Sequence, residues 1–277
     1  MIPAGFEYHR PTDIPQALAI LQEHGDEARV VAGGHSLIPM MKLRMADLSH
    51  LVDLQDIAAL RGIDTGAATV RIGAMVTQFE LMTHAGLAQA LPILSEAARQ
   101  IADPQVRYMG TLGGNVANGD PGNDMPGLMQ CLDASFELAG PDGTRQVAAR
   151  DFYEAAYVTA RSDDEILTAV HIPVPAAGTG WAYEKQKRKI GDYATAASAV
   201  LVGKGAASIA MTNLSDTPVW SAEAGAALAA GDVEGAVAAA IAAIDPAADN
   251  RGPVAFKKHT AAVILRRAID RALSRVS

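Results

Sequence analysis

Two glycine-rich segments constrain this chain most, because both can bring backbone close to a bulky ligand. They are Ala32-Gly-Gly-His-Ser36 and Thr111-Leu-Gly-Gly-Asn-Val-Ala-Asn-Gly-Asp-Pro-Gly-Asn-Asp124. Gly113 and Gly114 have no Cβ, so the backbone there can adopt positive φ angles. Consecutive free N–H groups in such a turn form a site for an anion. Two such segments predict two turns that grip one extended phosphate ligand, and the alternative is a pair of ordinary tight turns.

Charge and cysteine content narrow the class of function. With 277 residues, 49% of them hydrophobic, the chain can form one large or two medium domains around an apolar core. A formal net charge of -8 argues against a nucleic-acid partner, which calls for a basic face. Because Cys131 is the single cysteine, the sequence offers no intrachain disulfide and no cysteine-ligated iron–sulfur cluster. We expect a buried, unreactive thiol there.

The N-terminal residues and the longest apolar runs give no sign of export or membrane insertion. Met1-Ile-Pro-Ala-Gly-Phe6 lacks the charged segment and the apolar run of a signal peptide. The longest apolar runs are rich in alanine and interrupted by Gly, Asp and Glu, so no membrane span is expected. We therefore expect a cytoplasmic protein.

Hydrophobic periodicity and turn residues predict a mixed order of helices and strands. Strands are predicted at about 28–32, 50–54, 69–73, 134–139, 144–147, 165–173, 181–189, 195–203 and 207–213. Helices are predicted at about 13–24, 37–45, 78–83, 87–101, 125–132, 151–155, 222–228, 233–244 and 260–274. Thr12 and Thr77 are expected to cap the helices that follow them. Residues 173–180, rich in Pro, Ala and Gly, are the best candidate for a linker.

Four segments carry a family resemblance. They are Ala32-Gly-Gly-His-Ser-Leu-Ile-Pro-Met-Met-Lys-Leu-Arg44, Thr111-Leu-Gly-Gly-Asn115, Gly119-Asp-Pro-Gly-Asn-Asp124 and Gly180-Trp-Ala-Tyr-Glu-Lys-Gln-Lys-Arg-Lys-Ile-Gly-Asp-Tyr193. They closely resemble the FAD-binding medium subunit of the molybdenum hydroxylases, the family of xanthine dehydrogenase and, more closely, aerobic carbon monoxide dehydrogenase. The resemblance extends over nearly the whole chain.

The resemblance implies an α+β fold with two domains. Residues 1–176 would form a FAD-binding domain of the vanillyl-alcohol-oxidase type, with subdomains at about 1–55 and 56–176. Residues 177–277 would form a smaller C-terminal domain with a three-stranded antiparallel sheet and helices.

The resemblance also implies which residues bind FAD. Both glycine segments are expected to wrap its pyrophosphate, and Asp124 to accept hydrogen bonds from flavin-side hydroxyls. Lys185 is expected near the flavin ring and Tyr193 over one face of it, while Ile101 and Leu167 would line the cofactor. The residues implied to bind FAD are Ala32, Gly33, Gly34, His35, Ser36, Leu37, Ile101, Thr111, Leu112, Gly113, Gly114, Asn115, Asp124, Leu167, Lys185 and Tyr193. No residue is expected to be catalytic or to bind a metal.

Four of these side chains also admit a purely structural interpretation. His35 could be a surface histidine, and Asp124 could cap the helix that follows it. Lys185 could be a solvated lysine of a basic strand, and Tyr193 could be a packed core tyrosine.

The resemblance finally implies an electron-transfer role in a three-subunit oxidoreductase. A large partner would carry the molybdopterin cofactor and a small partner two 2Fe-2S clusters, in a dimer of heterotrimers. Electrons would pass from the clusters through FAD to a quinone, NAD or oxygen. The substrate is chosen by another polypeptide, so carbon monoxide, a xanthine, an aldehyde and an N-heterocycle all stay open. The alternatives are a free-standing flavin oxidoreductase and a non-enzymatic nucleotide-binding subunit.

Overall fold

The computed structural model describes residues 2–66 and 68–277, and its strands form four sheets. The strands are β1 (Glu7–His9), β2 (Ala28–Val31), β3 (His50–Asp53), β4 (Ile63–Thr65), β5 (Thr69–Gly73), β6 (Ser135–Gly140), β7 (Gly143–Ala148), β8 (Tyr153–Ala155), β9 (Val158–Thr159), β10 (Ile166–Pro173), β11 (Gly180–Gln186), β12 (Ala196–Gly203), β13 (Ala206–Thr212) and β14 (Val219–Trp220). The α-helices are α1 (Ile14–His24), α2 (Leu37–Lys42), α3 (Gln78–Thr83), α4 (Ala85–Ala90), α5 (Pro92–Gln100), α6 (Pro104–Met109), α7 (Leu112–Ala117), α8 (Asp124–Cys131), α9 (Ala222–Ala229), α10 (Val233–Ala243) and α11 (Val254–Leu273).

The first sheet is a parallel layer of three strands, with β3 between β1 and β2. Successive side chains of a strand point to opposite faces, so Val52 and Leu51 face different helices. Val52 packs with Ala17 of α1 in one buried cluster. Leu51 packs with Met41 of α2 in another. The sheet is therefore covered on both faces, by α1 on one and by α2 on the other.

The largest core lies on the second sheet, whose five antiparallel strands follow the order β4-β5-β10-β6-β7. Ile72, Phe136 and Val170 contribute its fully buried side chains, and Leu94 of α5 belongs to the same cluster. Thr77 caps α3 as predicted, and Glu80 completes a capping box with it. Helices α3, α4, α5, α7 and α8 each contribute buried side chains to this core, whereas α6 contacts α3.

The C-terminal sheet follows the order β11-β12-β13-β14 and is antiparallel throughout. Three strands were predicted, and the fourth is the two-residue β14, whose Trp220 indole donates a hydrogen bond to Ser208 Oγ at 3.1 Å. Helix α11 contacts β11 and β12, while α8 contacts β12 and β13. Helix α8 therefore joins the second sheet to the C-terminal sheet. None of the helices in the described residues has the length and hydropathy that a bilayer span requires.

Two helix predictions were wrong in the middle of the chain. The helix predicted over 87–101 is interrupted between α4 and α5. Pro92 lacks an N–H and disfavours helical geometry at Leu91, so it begins a new helix instead. Residues 151–155 were predicted to be helical but form the end of a 3-10 turn and strand β8. Pairing of β8 with β9 decides their conformation.

Two predicted helix starts were also misplaced. Asp13, not Thr12, caps α1, and its carboxylate accepts a hydrogen bond from the Gln16 N–H at 2.8 Å. Asp is at least as good a cap as Thr, and Asp13 stands directly before the first helical residue. Helix α11 begins at Val254, six residues before the predicted start at about 260, and Pro253 occupies its N-cap position.

Candidate cofactor-binding site

Both glycine segments border one cavity of about 760 Å³. The first segment connects β2 to α2, and the second forms α7. The segments lie close together, since a Cβ built on Gly114 would lie 3.5 Å from the Ala32 Cβ. A Cβ built on Gly33 would collide with the carbonyl oxygen of Met109, two residues before the second segment. Small-molecule sites typically have volumes of about 300–1,000 Å³. The structure thus brings the two segments to one site of ligand size.

The first glycine segment lines the cavity and carries a row of backbone donors. Among the described residues, the N–H groups of Gly33, Gly34, His35 and Ser36 have no backbone acceptor. Gly34 has a φ of +73°, a conformation that other residues rarely adopt. Helix α2 begins directly afterwards, and no side chain caps it. Successive N–H groups in this arrangement favour a bound anion.

The second glycine segment differs from its prediction. Gly113 and Gly114 were expected in a turn with positive φ and free N–H groups, but they lie within α7. Their N–H groups donate to the Ala74 carbonyl at 2.8 Å and to Thr111 Oγ1 at 3.0 Å. A Cβ on Gly113 would lie 2.5 Å from the Ala74 Cβ, so glycine is required for close packing of the helix. This segment therefore contributes Thr111, Gly114 and Asn115 to the cavity wall but no anion nest at Gly113 and Gly114.

A buried ion pair forms another part of the cavity wall. The Asp124 carboxylate accepts hydrogen bonds from Lys185 Nζ at 2.7 Å and from the Tyr183 hydroxyl at 2.5 Å. The side chains of Asp124 and Lys185 are 5% and 1% exposed. Burial raises the pKa of Tyr183 well above its usual value, and the Asp124 charge adds to this effect. The pair connects helix α8 to strand β11 of the C-terminal sheet.

The structural alternatives for this pair were wrong. Asn123 occupies the N-cap position of α8, so Asp124 is the first helical residue and its carboxylate faces Lys185 instead. The Lys185 ammonium is buried rather than solvated, although it lies in a strand followed by further basic residues.

Tyr193 lies at the mouth of the cavity and is 43% exposed, so it is not a core tyrosine. A Cβ on Gly122 would lie 2.7 Å from the Tyr193 ring, which shows how closely the ring covers that glycine. Burial of the hydroxyl raises the pKa of Tyr193 to about 12, and the nearby Asp120 carboxylate adds to this. His35 is likewise an exposed residue of the cavity rim.

Most residues predicted to bind the cofactor line this cavity. They are Ala32, Gly33, Gly34, His35, Ser36, Leu37, Ile101, Thr111, Gly114, Asn115, Asp124, Lys185 and Tyr193. Leu112, Gly113 and Leu167 are not among the described lining residues. Leu112 and Gly113 are buried on the inner side of α7, and Leu167 is part of the core around β10. The contact of each residue with a cofactor stays a prediction.

Arg29, Arg161 and Tyr157 also line the cavity, although no sequence motif pointed to them. The Arg161 side chain is 13% exposed, and its guanidinium donates to the Glu165 carbonyl at 2.8 Å. Burial lowers the pKa of Arg161, but an arginine in a protein keeps its proton. Isolated residues of this kind belong to no local motif, so only the fold brings them to the site.

Comparison with known proteins assigns both parts of the chain. Residues 4–175 match the family described as the FAD binding domain in molybdopterin dehydrogenase. Residues 181–272 match the CO dehydrogenase flavoprotein C-terminal domain. The chain belongs to the molybdopterin dehydrogenase medium-subunit family.

This medium subunit is similar to two carbon monoxide dehydrogenase medium chains. It is 55% identical to the carbon monoxide dehydrogenase medium chain of Afipia carboxidovorans and 44% identical to that of Hydrogenophaga pseudoflava, each over 99% of both chains. The solved structure of reconstituted CO dehydrogenase from Oligotropha carboxidovorans matches with a TM-score of 0.97 at 55% identity, covering 100% of both chains. The predicted α+β fold, a FAD-binding domain followed by a smaller C-terminal domain, is confirmed.

The cavity of the medium subunit fits FAD, the cofactor of its family model. The N–H row from Gly33 to Ser36 suits a diphosphate, because it offers several donors to one anion. A side chain at Gly33 would collide with the backbone of Met109 and Gly110, so glycine is required there for the first segment to pack against this part of the chain. The structure therefore meets the chemical needs of an extended dinucleotide.

Proposed function

We propose that this medium subunit is the FAD-carrying electron-transfer subunit of a molybdenum hydroxylase that oxidises carbon monoxide. The row of unpaired N–H groups from Gly33 to Ser36, within a cavity bordered by both glycine segments, carries the assignment of FAD to this chain. The 55% identity to a carbon monoxide dehydrogenase medium chain over 99% of both chains supports carbon monoxide as the substrate of the complex.

Medium subunits of this kind act within multi-subunit oxidoreductases. We propose the following arrangement of the subunits and their cofactors. A large partner holds the molybdopterin cofactor, a small partner holds two 2Fe-2S clusters, and two such heterotrimers associate. Electrons reach FAD from the clusters and leave for a quinone, NAD or oxygen. We also keep the proposed division into residues 1–176, with subdomains near 1–55 and 56–176, and residues 177–277.

FAD supplies the redox chemistry when it is bound, and the residues of this chain bind, orient and shield it. The N–H groups of Gly33 to Ser36 would hold the diphosphate. Asp124 fixes the position of Lys185 and balances its charge, so the lysine presents a paired ammonium rather than a free positive charge. Tyr193 at the mouth would cover the ring and limit access of water.

Measurement of bound FAD in the purified complex tests the cofactor assignment. Gly33→Ala should lower FAD occupancy at least about tenfold at limiting FAD, because the new Cβ collides with the backbone of Met109 and Gly110 and so displaces the first glycine segment. Gly5→Ala is the matched control, since nothing lies within 4 Å of its Cβ. Full FAD occupancy in the Gly33 variant would contradict the proposed position of the diphosphate.

Activity assays of the complex with carbon monoxide, xanthine and an aldehyde test the substrate. The proposal expects acceptor reduction with carbon monoxide alone. A complex that retains FAD but oxidises xanthine or an aldehyde instead would contradict the substrate and leave the cofactor assignment intact. Substrate-dependent reduction of FAD by this chain without partners would support a free-standing flavin oxidoreductase.

A further inference from the structure

Three histidines that are distant in sequence meet on the first sheet. His9 lies in β1, His24 is the last residue of α1 and His50 is the first residue of β3. Because β1 and β3 are parallel, with Glu7 opposite His50 and His9 opposite Val52, both strand histidines point to the face that carries Val52. Helix α1 covers that face and ends with His24 above them.

The three imidazoles are close enough to share one ion. His9 Nε2 and His50 Nδ1 are 3.0 Å apart, and the rings of His24 and His50 stack with centroids 3.6 Å apart and planes 7° apart. One nitrogen from each ring lies within 4.8 Å of the other two. All three residues are half-buried, so their positions are held by packing and remain open to small solutes.

The surroundings favour a cation at this point. His24 ends α1, and the C-terminus of a helix carries partial negative charge. The Glu7 carboxylate lies 3.7 Å from His50 Nδ1 on the same face and is 75% exposed. The described lining of the FAD cavity includes none of the three histidines, and the sheet separates them from α2.

We propose that His9, His24 and His50 form a binding site for one divalent transition-metal ion of the zinc type. Imidazole nitrogen suits zinc, copper and nickel, whereas calcium and magnesium prefer oxygen ligands. Three histidines leave a fourth tetrahedral position, which water or the Glu7 carboxylate fills. The second side-chain torsion of histidine is broad, so the stacked rings of His24 and His50 turn toward the ion at little cost.

The ion would tie the end of α1 to two strands of the first sheet. Strand β1 has three residues and lies at the edge of this sheet, so its anchoring depends on few contacts. A bound ion adds bonds that the unfolded chain lacks, and it therefore raises the unfolding temperature in proportion to its affinity.

Titration of the tag-free full chain with Zn²⁺, after treatment with a chelator, tests the proposal by calorimetry. We expect one Zn²⁺ per chain with a Kd on the order of 1 µM, and an increase in Tm of about 5 °C at a hundredfold excess over Kd. Titration with Co²⁺ should give the intense visible absorption of a tetrahedral site with nitrogen ligands.

Substitutions identify the ligands. His9→Gln, His24→Gln and His50→Gln should each weaken Zn²⁺ binding at least about 50-fold and reduce the Tm increase to about 1 °C or less at the same Zn²⁺ concentration. His259→Gln, an exposed histidine on α11, should bind Zn²⁺ as the wild type does. The proposal fails if the wild type binds no Zn²⁺ at about 100 µM, or if all three ligand variants keep wild-type affinity. FAD content is measured in parallel, so loss of the metal site is distinguished from loss of the cofactor.

Discussion

Breaking the buried pair of Asp124 and Lys185 should destabilise the chain strongly. The loss should depend on which of the two residues is replaced. Asp124→Asn removes the counter-charge of the ammonium and leaves it the Gln100 carbonyl oxygen at 3.5 Å and a single amide oxygen that the Tyr183 hydroxyl also needs. Lys185→Met leaves a carboxylate that still accepts the Tyr183 hydroxyl. The first change therefore abandons the less satisfied charge, and we expect it to cost more.

The geometry sets the size of the effect. Two unit charges 2.7 Å apart attract by about 6 kcal/mol at an effective dielectric constant of 20. Removing one partner of a buried pair costs about 3–5 kcal/mol, because the other charge stays buried without compensation. We expect about 5 kcal/mol for Asp124→Asn and about 3 kcal/mol for Lys185→Met. The double variant removes both charges and keeps an acceptor for Tyr183, so its cost should be about 2 kcal/mol, less than either single change.

Urea unfolding of the FAD-free full chain, followed by circular dichroism, measures all three variants. Glu234→Gln is the control, since it removes an exposed ion pair with Arg266 on the surface and should leave the urea midpoint unchanged. Additive losses in the double variant, or losses no larger than in the control, would show that burial does not couple the two charges.

Three further predictions concern the rest of the chain. Gly113→Ala should destabilise it by about 1–3 kcal/mol in urea unfolding, since the new Cβ overlaps the strand end beneath α7, whereas Gly5→Ala should have no effect. Burial raises the pKa of the Cys131 thiol to about 12, so a thiol reagent near pH 8 should label the chain only after unfolding, and rapid labelling of the native protein would contradict this. The Arg145 guanidinium holds the pKa of Glu165 below its usual value of 4.5, so the carboxylate stabilises the fold above that pH and loses this effect as pH falls through the lower folded value. Glu165→Gln should therefore reduce the free energy of unfolding near pH 7, and its difference from the wild type should shrink below about pH 4. A difference that stays constant with pH would contradict the argument.

Local pattern predicted most helices and strands, because each depends on neighbours in sequence. The hairpin of β6 and β7 follows from alternating residues on either side of the Gly140–Gly143 turn. The capping box at Thr77 is likewise a matter of four consecutive positions. The break at Pro92 could also have been predicted locally, because a proline disfavours helical geometry at the residue before it. The prediction of one continuous helix over 87–101 ignored this rule.

The sequence by itself determined that this chain has two glycine segments able to approach a phosphate ligand and belongs with the FAD-binding medium subunits. Both conclusions rest on residues that are close together in sequence. The tertiary structure decided that Gly33 to Ser36 keep free N–H groups while Gly113 and Gly114 pack within a helix, since the neighbour Ala74 comes from another element. It also decided that Lys185 is buried against Asp124 and that three histidines converge. These residues are far apart in sequence, so only folding brings them into contact.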